Sequence, residues 1–168
     1  MIVIIIIGIL ATLVFPSYVS YLQRADITEA ISVLAEYKTA IGTFWSIEDR
    51  LPATGDTLNS TPVDLPFGTL VSAADTSTMP NSIQSLQLTN SGNGIVIFAV
   101  LNSTGVFSGL SADNATITLG AKPSGNEILF ECGNFSTNAA ASSDIGFTNI
   151  GLLPKGCNYN GVQTWLNS

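Results

Sequence analysis

The sequence predicts an α+β fold: one long N-terminal helix packed on a four-stranded antiparallel sheet, followed by a cysteine-bounded C-terminal region. Three observations carry this expectation. A charge-free apolar run, Met1 to Phe15, leads into a helical pattern that lasts to Arg50. Four strand-like segments separated by turn signals lie between Ser82 and Cys132. Two cysteines, Cys132 and Cys157, frame a stretch near the end of the chain.

The first run, M-I-V-I-I-I-I-G-I-L-A-T-L-V-F, has Thr12 as its one polar side chain, and Pro16 closes it. Such a run belongs in lipid, in a protein core, or in each at different times. A membrane-spanning helix needs about 20 apolar residues, so a few residues are expected to precede Met1. A cleaved secretory signal would carry a basic start and a small-residue cleavage site. No Lys or Arg precedes the run, and Phe15-Pro16-Ser17-Tyr18 does not resemble such a site.

From Ser17 to about Arg50 the pattern is that of an amphipathic helix, with Ile27, Ala30, Ile31, Leu34, Tyr37, Ile41 and Phe44 at three- and four-residue spacing. Leu51-Pro52 ends it, because a residue preceding proline disfavours helix. The combined helix would approach 75 Å, at about 1.5 Å per residue. One domain of this size cannot cover so long a rod. Gly8 and Pro16 are weak points, costing roughly 1 and 3 kcal/mol relative to alanine. Residues 51–81, rich in Thr, Ser, Asp, Gly and Pro, read as a connecting loop. Strands are expected at Ser82–Leu88, Ile95–Leu101, Ala115–Gly120 and Asn126–Cys132, in two successive hairpins.

Composition narrows the function. The 168 residues suit one domain. The net charge of −7 argues against direct nucleic-acid binding, which needs a basic patch. The absence of histidine removes His-based acid–base chemistry, the Ser-His-Asp triad and His metal sites. Cys132 and Cys157 are too far apart for a C-x-x-C redox motif, which leaves a disulfide or two buried thiols.

The opening M-I-V-I-I-I-I-G-I-L-A-T-L-V-F-P-S-Y, with Tyr21-Leu22-Gln23-Arg24-Ala25 and Glu29-Ala30 after it, closely resembles the N-terminal helix of type IV pilins of the N-methylated class. The resemblance is strong over about 35 residues and looser around the two cysteines. The family's N-methylated Phe and its assembly Glu would both lie before Met1. The resemblance implies a major pilin, a structural subunit that polymerises as a helical homopolymer into a pilus filament for adhesion, motility or DNA uptake. Residues 1–16 would be the membrane and filament-core segment, the transmembrane half of the helix. Residues 17–168 would be the globular domain, with helix 17–50, loop 51–81, sheet 82–132 and disulfide region 132–157.

Subunit contacts are expected at Ile4, Ile7, Leu10, Leu13, Arg24, Asp26 and Glu29, and helix unwinding between Gly8 and Pro16. Partners implied are other copies of the chain, the inner membrane before assembly, the pilus assembly machinery and a prepilin peptidase. The assembled filament would stand on the cell surface. Export through an oxidising compartment favours the Cys132–Cys157 disulfide. That bridge would close a loop of about 25 residues and contribute roughly 3–4 kcal/mol.

Two other readings remain. A pseudopilin of a type II secretion system would use the same helix as a short piston. A membrane-tethered enzyme would need clustered carboxylates or a nucleophile elbow, which the sequence lacks. Gly120 to Gly125 is followed by Asn126-Glu127 rather than Lys-Ser/Thr, so it is no P-loop. Asp113-Asn114 and Asp144 lack EF-hand spacing, so no metal or cofactor is expected. Sequons occur at Asn59, Asn102, Asn114 and Asn134. By resemblance, the C-terminal Ser168 is a candidate for O-linked glycosylation.

Overall fold

The computed structural model describes residues 2–53, 57–60, 63–66, 71–72, 80–91, 93–103, 107, 115–136 and 150–168. The side chains of residues 12–17, of 57–60, 63–66 and 71–72, and of Ile150 lie outside that description, as do Asp113, Asn114 and Asp144. One helix, α1, runs from Ile2 to Glu48, 47 residues and about 70 Å long. Its backbone is helical through both Gly8 and Pro16. It stops slightly before Leu51-Pro52. Asp49 adopts a left-handed φ of 53° and donates its N–H to the Trp45 carbonyl at 2.9 Å. An Asp can take the place usually held by Gly here, because its short polar side chain tolerates that conformation.

Among the described residues, eight strands follow: β1 (Thr57–Ser60), β2 (Val63–Pro66), β3 (Val71–Ser72), β4 (Ile83–Ser91), β5 (Gly94–Leu101), β6 (Thr116–Ser124), β7 (Glu127–Asn134) and β8 (Tyr159–Asn160). β1 and β2 form an antiparallel pair of their own inside the stretch read as loop. The main sheet has the order β3-β4-β5-β6-β7-β8. The expected four strands are β4 to β7, but five run antiparallel, because β3 adds to the β4 edge. The two-residue β8 then joins β7 in parallel. Strands this short carry no alternating pattern, so nothing in the sequence marks them.

The turn between β6 and β7 shows how local chemistry sets register. Ser124 pairs with Glu127, leaving Gly125-Asn126 as the loop. Gly125 has a φ of 62°, the positive value that glycine supplies at the first position of a type II′ hairpin turn.

The C-terminal half of α1 lies on one face of the sheet. Ile27, Ala30, Leu34, Tyr37, Ile41 and Phe44 are 4% exposed or less. They pack with Ile83, Leu86, Ile95, Ile97, Ala99, Leu101, Ile117 and Leu119. The other face is covered too. A short helix, α2 (Val162–Leu166), sets Val162 and Leu166 against Val96 and Phe98, with Phe135 and Trp165 alongside. Phe135 meets Phe98 edge-on, 5.1 Å between ring centres. The approach is close. A Cβ at Gly120 would stand 2.5 Å from Val162 Cγ1 and 3.3 Å from Trp165 Cζ3.

Candidate subunit-interface site

The two ends of α1 are opposites. Ile2 to Ile7, Ile9 and Leu10 are each more than half exposed. Tyr18, Val19 and Tyr21 continue the exposed apolar surface. An amphipathic helix exposes a polar face, whereas this segment is apolar around its whole circumference. Such a helix is at home only when buried. Ile4, Ile7 and Leu10 lie on this uncovered rod, and a Cβ at Gly8 would meet nothing within 4 Å. Leu13 falls among the residues whose side chains are undescribed. Among the described residues, no helix is long and apolar enough to cross a membrane.

The rod meets the globular part at the charged residues. Arg24 and Glu29 are exposed, and Asp26 is half-buried. Burial pushes the Asp26 carboxyl above its ordinary value, and the negative charge of Glu29 pushes it further. Asp26 and Glu29 share a polar pocket with Asn81, Ser82 and Asn102, and Arg24 is not part of its lining. Thr28 and Ser32 turn their hydroxyls back onto the helix, donating to the Arg24 and Glu29 carbonyls at 2.7 Å each.

At the far end of the sheet, Cys132 in β7 is bridged to Cys157, with their Cα atoms 4.3 Å apart. Cys157 sits in a 3-10 turn, Lys155–Cys157, and is buried in the main core. The bridge holds the C-terminal segment where β8 and α2 can dock. Ser168 is exposed. Its hydroxyl donates to the Trp165 carbonyl at 2.7 Å and accepts from Lys122 Nζ at 3.0 Å. Lys122 also donates to the Trp165 carbonyl at 2.7 Å and stands 4.7 Å from the centre of the indole ring.

Of the sequons, Asn134 is buried at 3% exposure, paired with Asn160 of β8, and so is closed to a glycan. Asn102 donates to the Asn81 carbonyl at 3.2 Å. Among the described residues, no three His, Cys, Asp or Glu side chains converge as a metal cluster.

A long helix half-packed on an antiparallel sheet, its other half apolar and uncovered, with a bridged C-terminal segment, is the architecture of a filament subunit. The family described as pilin, a bacterial filament protein, matches residues 23–158. The chain belongs to the type IV pilins. The pilin is also similar to the fimbrial protein EcpC of Eikenella corrodens, 28% identical over 159 residues, which covers 94% of this chain and 84% of that protein. Its class is structural: a pilin is a building block of a pilus, assembled from copies of itself. The family match starts at Gln23, after the apolar rod, so most of it lies beyond the N-terminal resemblance.

The sequence missed two features of the site. One is the Lys122–Trp165–Ser168 cluster, in which Lys122 lies more than 40 positions from its two partners along the chain. A usable signal was present in β5, which is apolar at almost every position. A strand without alternation has both faces covered, and among the described residues Val162 to Leu166 and Phe135 cover the second. The other is the pocket over Asp26, which needs two loop segments that carry no metal motif.

Proposed function

We propose that this pilin is a major pilus subunit that polymerises through the apolar half of α1. The observation that carries the reading is the contrast along that helix: Ile2 to Leu10 lies open while Ile27 to Phe44 is buried. Apolar surface removed from water contributes about 25 cal/mol per Å², so an uncovered rod of this kind is a strong adhesive between copies. Packing Ile4, Ile7, Leu10 and Leu13 into the rods of neighbouring copies would build a filament core. The contact is head-to-tail and does not close, which produces a fibre rather than a ring.

Before assembly the rod rests in the inner membrane. A prepilin peptidase and the assembly machinery act on it there, and the finished filament stands outside the cell. The similarity to a fimbrial protein supports this surface location. Adhesion, motility and DNA uptake are the tasks such filaments serve. For the last of these the acidic chain would not itself hold nucleic acid. Glycosylation at the exposed Ser168 would decorate the outer face.

In the filament the segment between Gly8 and Pro16 unwinds. Proline has no N–H to donate and is disfavoured in a helix interior, while Gly8 lowers the cost of leaving the helix. Extension from about 1.5 to about 3.3 Å per residue supplies slack under load. Arg24, Asp26 and Glu29 act between subunits. Electron microscopy of sheared surface filaments tests all of this. The expected map shows a core of N-terminal helices interrupted between Gly8 and Pro16. Arg24→Glu should lower filament yield while the subunit still folds. A helix continuous from Ile2 to Glu48 in the filament would refute the unwinding, and a core without these helices would refute the assembly mode.

A further inference from the structure

The pocket over Asp26 and Glu29 has a composition that filament packing alone does not explain. Among the described residues, every side chain that lines it carries oxygen: two carboxylates, the Asn81 and Asn102 amides, and the Ser82 hydroxyl. Among the described residues, the lining includes no sulfur, imidazole or basic group. The local fold holds the pieces in place. Asn102 N–H donates to the Ser82 carbonyl at 2.8 Å, and Ile83 N–H donates to the Pro80 carbonyl at 3.1 Å. The Asn102 amide donates to the Asn81 carbonyl at 3.2 Å. The segment before β4 and the residue after β5 are thereby stapled together across from α1.

The decisive observation is Ser82. Its residue is 7% exposed, and its Oγ is buried without a hydrogen-bond partner. A buried hydroxyl left unmatched is costly unless something in the pocket engages it. A hydroxyl bound to a backbone carbonyl would be structural, as Thr28 and Ser32 are on the neighbouring turns. Ser82 makes no such bond, and it shares its pocket with two carboxylates.

We propose that Asp26, Glu29, Asn81, Ser82 and Asn102 form a binding site for a hard divalent cation, calcium in preference to magnesium. Two carboxylates match the ion's charge. Amide and hydroxyl oxygens complete a coordination sphere of the all-oxygen kind that calcium takes. Magnesium demands a tighter octahedron and gives up its water reluctantly, so a shell drawn from three separate segments suits it poorly. The ion would tie α1 to the ends of β4 and β5 at the point where the open rod meets the globular part. The sequence shows no metal motif because the ligands come from positions 26, 29, 81, 82 and 102 rather than from one loop.

The test uses the full chain, dispersed in detergent, in equilibrium dialysis against calcium chloride or magnesium chloride, with melting curves in chelator and in each salt. The expected result is one calcium per chain with a dissociation constant of about 10⁻⁴–10⁻³ M, the range of extracellular calcium modules. Magnesium should bind at least about tenfold more weakly. Asp26→Asn should weaken calcium about tenfold or more. Ser82→Ala keeps the fold testable should Asp26→Asn not fold. It removes the unpartnered hydroxyl, so it should melt higher than the parent in chelator and gain less from calcium. A parent chain that takes up no calcium, as expected if the pocket holds only water or receives a basic side chain from a neighbouring copy, overturns the proposal. Equal calcium binding by the parent and both variants overturns it as well.

Discussion

The two halves of α1 share one backbone and one helical geometry, yet one half is buried and the other bare. From Ile27 to Phe44 the apolar side chains form a stripe, and the sheet covers that stripe. From Ile2 to Leu10 they surround the helix, and nothing in the subunit covers them. The difference lies in the arrangement of hydrophobic residues, since both halves are rich in them. A stripe can be satisfied by one sheet within one chain. A full apolar circumference needs neighbours on all sides, which only lipid or several other copies supply. The periodicity of a segment therefore indicates whether its partner is internal or external.

The sharpest way to break this comparison is to remove one half. Deleting residues 1–15 should leave a soluble, folded monomer, because the stripe and its sheet remain intact. Sedimentation at micromolar concentration checks it, and a persistent oligomer would place the assembly surface elsewhere.

Matched single substitutions probe the same contrast at smaller scale. Ile41→Ala opens a cavity in the core and should cost the subunit about 2–5 kcal/mol. Ile7→Ala should leave subunit stability within about 0.5 kcal/mol, as exposed positions do, while lowering filament yield. Urea unfolding in detergent, paired with counts of surface filaments, separates the two effects. Equal destabilisation by both substitutions would mean that Ile7 has cover within its own chain.

The smallest effect expected is at the junction of the halves. The folded-state pKa of Asp26 lies above its ordinary value of 3.8. Between the two values the native state therefore binds more protons than the unfolded chain, so the contribution of this group to stability rises as pH falls. In chelator, Asp26→Asn should melt higher than the parent at pH 7, and the advantage should disappear below pH 3.8. A melting-temperature series from pH 7 to pH 3 reads this directly. A difference that does not change with pH would remove the electrostatic explanation.

Much of this pilin was settled by its sequence alone. The helix from the apolar run to the segment before Pro52, the stripe from Ile27 to Phe44 and the four long strands all follow from period and turn chemistry. These are local rules acting on neighbouring residues. The pair of cysteines was legible as a choice between bridge and buried thiols, and export argued for the bridge. What only the tertiary structure decided depends on residues far apart in the chain. The edge strands β3 and β8 exist because a neighbouring strand offers unpaired backbone groups, not because two residues prefer to be extended. The docking of α2 on the second face of the sheet requires Gly120 to be small where Val162 and Trp165 arrive. The pocket over Asp26 requires three segments to converge. No periodicity encodes such meetings, because the free energy that selects them comes from burial and from polar groups matched across the fold.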